Sequence, residues 1–315
     1  MEIGWIGIGR MGAAMAERVL KAKHPLKVWN RTRSKAEPLA KLGATIVDSM
    51  EALRGADVVI TMLSTGKDLA EVCFGKGGLA ADDAAKVPGI IVDCSTIGME
   101  ESKEIRDKLA AKGVQFLAAP VSGNPKCVVA GKLSCIVSGP KAAFDKVDPI
   151  LGAFAVRGVT YAGDGDLARI CKIAHNVFLG VVIENLIEIT LLAEKAGVPR
   201  HAFLKFMNNS VMGSVFTQYK SPALANLDFT TTFTVPLLRK DLDLGLDAAH
   251  KMGVAMPITT ATREVLQSHY GIAKSKTDPE AYLAQDFATL IETLALHSGM
   301  TVTPDNVPVP SGLEV

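Results

Sequence analysis

Several features are missing from this chain, and each absence narrows its chemistry. It has almost no net charge. Its 34 Lys and Arg face 33 Asp and Glu, for a formal +1, so no global basic field points to nucleic acid. Its five cysteines (Cys73, Cys94, Cys127, Cys135, Cys171) show no metal-ligand spacing, and their odd number does not fit a disulfide framework. They read as free thiols of a reducing compartment, with Cys171 expected in the core. Hydrophobic residues make up 48% of the chain, yet no uncharged apolar run reaches the roughly 20 residues of a membrane span. The longest candidate, Val177 to Ile183, stops at Glu184. The N-terminus enters a strand at once, without a basic leader, so no secretory signal is expected. Internal repeats and low-complexity tracts are missing too. These absences together read as a cytoplasmic protein with no membrane or nucleic-acid partner and no metal.

The chain has 315 residues, more than one ordinary core holds, so two domains are expected. An α/β N-terminal domain, doubly wound around a mostly parallel sheet, is expected over residues 1–164. Its strand candidates are Ile3 to Ile6, Leu26 to Trp29, Val58 to Met62, Ile90 to Val92, Val114 to Leu117, Ser134 to Ser138 and Val159 to Tyr161. A long interdomain helix over 166–196 then opens an all-α domain over 165–298. Further helices are expected at His201 to Asn208, Leu238 to Met252, Ile258 to Tyr270 and Glu280 to Ser298. The tail, 299–315, reads as irregular, either wrapped over a partner subunit or without order.

Between the first strand and the first helix stands Gly7-Ile8-Gly9-Arg10-Met11-Gly12. This is G-x-G-x-x-G in the context that gives it meaning. The first glycine permits a tight turn, the second lets a pyrophosphate approach the backbone, and the third brings helix and strand close. The motif alone is also an ordinary glycine-rich turn; the flanking strand and helix make it a dinucleotide site. Such sites place Asp or Glu about 20 residues further on to bind the ribose 2′-hydroxyl of NAD. Here the second strand ends in Asn30-Arg31-Thr32-Arg33-Ser34-Lys35. A carboxylate would repel a 2′-phosphate, whereas Arg31 can grip one bidentately, with Thr32, Arg33 and Lys35 adding contacts. NADP is therefore preferred, with NAD the alternative and a solvated basic turn the bland one. Met62 and Leu63, closing another strand candidate, are further cofactor contacts.

Lys172 stands out in the long helix, DLARICKIAHNVFLGVVIENLIEITLLAEKA. A helix apolar nearly all round is usually buried on most faces. A lysine inside it loses water at high cost and gives up its proton more readily. Asn176 lies at i+4, on the same face. An amine and an amide so placed suggest an acid–base site. His175, although adjacent, is not read as catalytic.

The blocks G-x-G-x-M-G at Gly7 to Gly12, Asp93-Cys94-Ser95-Thr96, Pro120-Val121-Ser122-Gly123, Gly163-Asp164-Gly165 leading to Lys172-x-x-x-Asn176, and Lys240-Asp241 occur in a specific order. In them the chain resembles the β-hydroxyacid dehydrogenases over nearly its whole length. The resemblance implies a Rossmann domain and an NADP(H)-dependent hydride transfer to or from a small 3-hydroxy or 3-oxo carboxylic acid. It implies that Lys172 is the general acid/base and that Asn176 holds the lysine or the substrate hydroxyl. Ser122, Gly123 and the adjoining Asn124 would cradle the carboxylate, Thr96 would lie near nicotinamide and substrate, and Phe233 would form a substrate wall. Lys240 and Asp241 would lie near cofactor and active site. A homodimer or homotetramer is expected, because a helix apolar all round needs partners on every side.

Each of these roles has an ordinary competitor. Ser122 can be a turn residue, Thr96 a cap of the following helix, Lys240-Asp241 a solvated pair, and Phe233 plain core. The chain also departs from the family pattern. Asn124, followed by Pro125 and Lys126, stands where a second glycine is usual, Lys132 where threonine is frequent, and Ile97-Gly98-Met99 where proline is common. Proline lacks an N–H, so that loop loses a backbone donor. An imine reductase on the same fold and a non-catalytic NADP-sensing oligomer are the rival readings. Lys172 and Asn176 argue against both.

Overall fold

A computed structural model describes residues 1–314. The chain divides into two compact units, Met1–Lys172 and Ile173–Val315. The first holds nine strands: β1 (Ile3–Ile6), β2 (Leu26–Trp29), β3 (Thr45–Ile46), β4 (Val58–Thr61), β5 (Ile90–Asp93), β6 (Gln115–Ala118), β7 (Val121–Ser122), β8 (Ser134–Ser138) and β9 (Gly158–Gly163). They form one sheet in the order β3-β2-β1-β4-β5-β6-β8-β7, with β9 paired to β8. The first six run parallel, and β8 is antiparallel to β6 and β7 but parallel to β9. Every residue of β1, β4 and β5 is buried, as expected of parallel strands covered on both faces. The two-residue strands β3 and β7 are too short to show an alternation and escape a reading by pattern.

The helices of this unit are α1 (Arg10–Lys21), α2 (Glu37–Ala40), α3 (Gly66–Phe74), α4 (Met99–Ala111), α5 (Pro125–Val129) and α6 (Lys141–Phe154). The strand order reverses between β1 and β4, and in open α/β sheets ligands bind at the strands' carboxyl ends at such a point. Trp5 of β1 is fully buried in the core, edge-on to Phe154 at 6.1 Å. Cys73, Cys94, Cys127 and Cys135 are buried, and burial pushes their thiols up in pKa. Cys171, expected in the core, is exposed. It occupies a different helix face from its buried neighbours, which the surrounding apolar sequence concealed.

Helix α7 (Leu167–Lys195) runs through the unit boundary. The second unit continues with α8 (Arg200–Asn209), α9 (Val215–Asn226), α10 (Val235–Met252), α11 (Pro257–Ala273), α12 (Pro279–Leu283) and α13 (Leu290–His297). By length and composition alone α7 could cross a membrane, and half of its apolar window is buried. It is not buried all round: Phe178 and Leu192 are 69% and 70% exposed. On the covered side α10 packs very close, since a Cβ on Gly245 would lie 2.3 Å from Val177 Cγ2 and one on Gly180 2.8 Å from Leu242 Cδ2.

Two helical segments of this unit differ from the sequence reading. Helix α9 was not foreseen, because Pro222 lies inside it; Ser214 caps it, its Oγ accepting from Thr217 N at 3.1 Å. The single helix expected from Glu280 to Ser298 is broken into α12, a 3-10 turn at Phe287–Thr289, and α13. The break is at Asp286, only 1% exposed, whose carboxylate accepts from Lys220 Nζ at 2.6 Å, Thr232 N at 2.9 Å and Ala288 N at 3.0 Å. A buried charge of this kind needs partners from outside its own helix. The described tail residues from 299 on are irregular and are tied to their own unit. Asp305 N donates to Ala225 O, Asn226 Nδ2 to Val307 O, and the fully buried Arg200 to the carbonyls of Ala225 and Thr303.

His269 is fully buried in this unit, its Nδ1 2.7 Å from Thr293 Oγ1 and its ring stacked on Tyr282. Burial lowers its pKa from 6.5 to about 4. The unfolded chain therefore binds this proton at higher pH than the folded one, and stability is lost as pH falls from 6.5 towards 4. Thermal melts over that window are expected to fall more steeply for the native chain than for His269→Gln, by about 3 kcal/mol in total. Parallel curves would disprove the assignment.

Candidate active site

The glycine loop is shaped by backbone approach. A Cβ on Gly7, whose φ is +96°, would lie 2.2 Å from Met62 O, and one on Gly12 would lie 1.9 Å from Gly7 O. Around Gly9 there is open space. Trp5 Nε1 donates to Gly7 O at 3.3 Å and fixes that carbonyl from within the core. Helix α1 then starts with no acidic residue in its first turn and no side chain capping it. Its first N–H groups and the positive end of its dipole remain open to an anion. These features fit a pyrophosphate above Gly9, beside Arg10 and Met11.

The basic turn after β2 divides its labour. Asn30 Oδ1 accepts from Ile8 N at 2.8 Å, and Asn30 Nδ2 donates to Thr32 O at 2.8 Å. Asn30 thus braces the glycine loop. Arg33 is paired with Asp48. Arg31 and Lys35 are exposed, and among the described residues Arg31 has no hydrogen bond or ion pair. Arg31 and Lys35 are therefore the cations of this turn that remain open to a ligand.

At the next strand ends, Leu63 N donates to Ser95 Oγ at 2.8 Å, and Ser95 Oγ donates to the buried Asp93 at 2.6 Å. Thr96 follows, half-buried. It does not cap α4; Gly98 holds that position, its N–H 3.3 Å from Glu101 Oε2. Ser122 sits in β7 opposite Ser134, and Gly123 turns the chain with a φ of +136°. Asn124 caps α5, its Oδ1 accepting from Cys127 N at 3.0 Å. Its Nδ2 is buried without a partner. Pro125 is thus explained as a first-turn residue, where no N–H is needed. The donor missing from the backbone has a side-chain counterpart in the Nδ2 of Asn124, a residue the family resemblance already placed beside the carboxylate. Lys126 is exposed, and Lys172 is half-buried, less than a helix buried all round would require.

In the second unit, Asn176 and Asp241 are 5% and 3% exposed and meet, Nδ2 donating to Asp241 Oδ2 at 2.6 Å. Asn176 Oδ1 lies 2.9 Å from His175 Nδ1, so both ends of the amide are engaged. Lys240 Nζ lies 3.5 Å from Asp241 Oδ1. With its acid buried, Lys240-Asp241 is not a solvated pair. Phe233 is half-buried and edge-on to Phe287 at 6.0 Å.

Comparison with known proteins follows the same division. Residues 2–163 match the family described as the NAD-binding domain of 6-phosphogluconate dehydrogenase, and residues 167–298 match the NAD-binding domain of NADP-dependent 3-hydroxyisobutyrate dehydrogenase. The chain belongs to the β-hydroxyacid dehydrogenase family. It is 32% identical to the 3-hydroxyisobutyrate dehydrogenase of Pseudomonas aeruginosa, over 85% of this chain and 92% of that one. A glyoxylate/succinic semialdehyde reductase of Arabidopsis thaliana is 30% identical, over 93% of this chain and 79% of its own. Among solved structures, Mycobacterium tuberculosis 3-hydroxyisobutyrate dehydrogenase with L-serine superposes with a TM-score of 0.77. It is 26% identical and covers 93% of this chain and 99% of its own. The protein is accordingly an oxidoreductase of CH–OH groups that uses a nicotinamide cofactor.

The loop geometry sets one expectation. Gly12→Ala puts a methyl group against the Gly7 carbonyl and is expected to weaken dinucleotide binding at least about tenfold, at a stability cost of about 1–3 kcal/mol. Cofactor titration by fluorescence checks this; native affinity in the variant would refute the close-approach reading.

Proposed function

We propose that this β-hydroxyacid dehydrogenase is NADP(H)-dependent and acts on a small carboxylic acid bearing a 3-oxo or 3-hydroxy group, with Lys172 as its general acid/base. The observation that carries this reading is Lys172 itself, an ionisable amine half-buried on α7. That helix begins against Ser95 O at the end of β5, through Arg169. The bound nicotinamide supplies or accepts the hydride. Lys172 Nζ gives a proton to the substrate oxygen in reduction and takes one in oxidation. Asn176, four residues on and oriented by Asp241, holds the lysine or the substrate hydroxyl. The Ser122 hydroxyl, the Gly123 N–H and the unpartnered Asn124 Nδ2 are donors suited to a carboxylate. Thr96 and Phe233 border the substrate. Met62, Leu63 and Lys240 contact the cofactor.

The NADP preference is supported by the missing acid after β2 and by the uncommitted Arg31. Residues 1–164 are the cofactor domain and 165–298 the substrate and assembly domain. The exposed Phe178 and Leu192 of α7 support a homodimer or homotetramer, and the free thiols support a reducing compartment, the cytoplasm.

NADPH oxidation with tartronate semialdehyde, which carries the 3-oxo group, and with glyoxylate and succinic semialdehyde, whose carbonyls lie one carbon nearer to and one further from the carboxylate, tests the reaction class. Turnover is expected with at least one of them and is expected to fall about 100- to 10,000-fold in Lys172→Ala, while NADPH still binds. Turnover of cyclic imines with none of the acids would replace this reading by an imine reductase, and cofactor binding with no turnover at all by a sensing role. Arg31→Ala is expected to weaken NADPH about 10- to 100-fold, a charged hydrogen bond being worth about 1.5–3 kcal/mol, and to leave NADH nearly unchanged. Equal losses for both cofactors would remove Arg31 from the 2′-phosphate.

A further inference from the structure

Arg169 is 1% exposed, a guanidinium sealed inside the first unit. All three of its nitrogens are used. Nη2 donates to Asp93 Oδ2 at 2.6 Å, Nη1 to Ser95 O at 2.5 Å, and Nε to Ser102 Oγ at 3.1 Å. Asp93, with 0% exposure, also accepts from Thr61 Oγ1 at 2.7 Å and Ser95 Oγ at 2.6 Å. Ser95 Oγ in turn accepts from Leu63 N at 2.8 Å. Ser102 Oγ donates to Asp166 Oδ1 at 2.7 Å, and Arg106 is paired with Asp166. One continuous polar network thus links the end of β4, the end of β5, the side of α4 and the first turn of α7.

The positions it links are informative. Leu63 is a candidate cofactor contact, Ser95 precedes Thr96, and Arg169 stands three residues, about one helical turn, before Lys172. Packing alone does not call for this design, because a buried ion pair is often no more stabilising than apolar residues of equal volume. What a forked guanidinium adds is direction: three donors in a rigid plane, each with one acceptor. We infer that Arg169, held by Asp93, is a positioning residue that sets Lys172 in register with Thr96 and the cofactor loop. The inference rests on Lys172 being the acid/base.

Two variants test it. D93N/R169M replaces the pair by neutral groups of similar size, and R169K keeps the charge but loses the fork. Single-turnover hydride transfer from NADPH to the best acid of the panel separates rate constant from amplitude. A merely structural role lowers the amplitude, since fewer molecules are folded. Positioning lowers the rate constant, by about 100-fold for a displacement near 1 Å, with NADPH affinity within about threefold of native. R169K is expected to recover part of the loss. A second readout needs no substrate: the resonance of 13C-methylated Lys172, assigned by its absence in K172A, is expected to move in shift and titration midpoint. A folded D93N/R169M with native rate constant and superimposable Lys172 resonance would overturn the inference. A K172A variant that keeps the native rate instead overturns the acid–base reading, and the Lys172 resonance then decides the inference alone.

Discussion

The pairing of Asp93 with Arg169 is the constraint on which the site half of the first unit depends. Both groups are out of water, and removing either partner would leave a buried charge at a cost of about 3–5 kcal/mol. Buried ion pairs in general are often no more stabilising than apolar residues of equal volume, whereas a forked guanidinium fixes direction. Asp93 closes β5, and Arg169 lies in the first turn of α7. Because Ser95 and Thr61 share the same carboxylate, the carboxyl ends of two central strands and the start of the long helix cannot move independently.

The glycine loop is held by different means. Gly12 meets the Gly7 carbonyl, which Trp5 holds from the core side, and Asn30 takes the Ile8 N–H. Backbone polar groups are thereby satisfied inside the protein, while those at the start of α1 face outward for an anion. The second unit follows the same logic in its own core. Helices α7 and α10 approach closely at Gly180 and Gly245, and across that contact Asn176 reaches Asp241. Elsewhere, Asp286 ties Lys220, Thr232 and the turn before α13 together.

Much of this was legible in the sequence, for identifiable reasons. Parallel strands buried on both faces appear as apolar runs, and β1, β4 and β5 were found that way. Gly7 and Gly12 are visible because only glycine tolerates the approach, Gly9 because it completes the motif between them, and Lys172 because a lysine is rare amid apolar residues. The rest depended on distant partners. Asn30 heads the basic turn in the sequence, and only the fold shows that its oxygen braces the Ile8 N–H. Asn124 was expected beside the carboxylate, but its capping of α5 and its unpartnered amide show only in the fold. The fracture of the segment from Glu280 to Ser298 needs Lys220 and Thr232, more than 50 residues away. The exposure of Cys171 and the docking of the tail on α8 and α9 leave no local signature either.

By itself the sequence determined the doubly wound class, the dinucleotide loop, the long helix and the family, since all of these rest on local period, glycine placement and short motifs. Only the tertiary structure decided which side chains are committed and which are free. Arg33 is taken by Asp48 and Arg31 is not, and Arg169 is spent on Asp93 and Ser95. The reason is physical. Burial and hydrogen bonding are set by groups brought together from distant parts of the chain, and no window of neighbouring residues contains them.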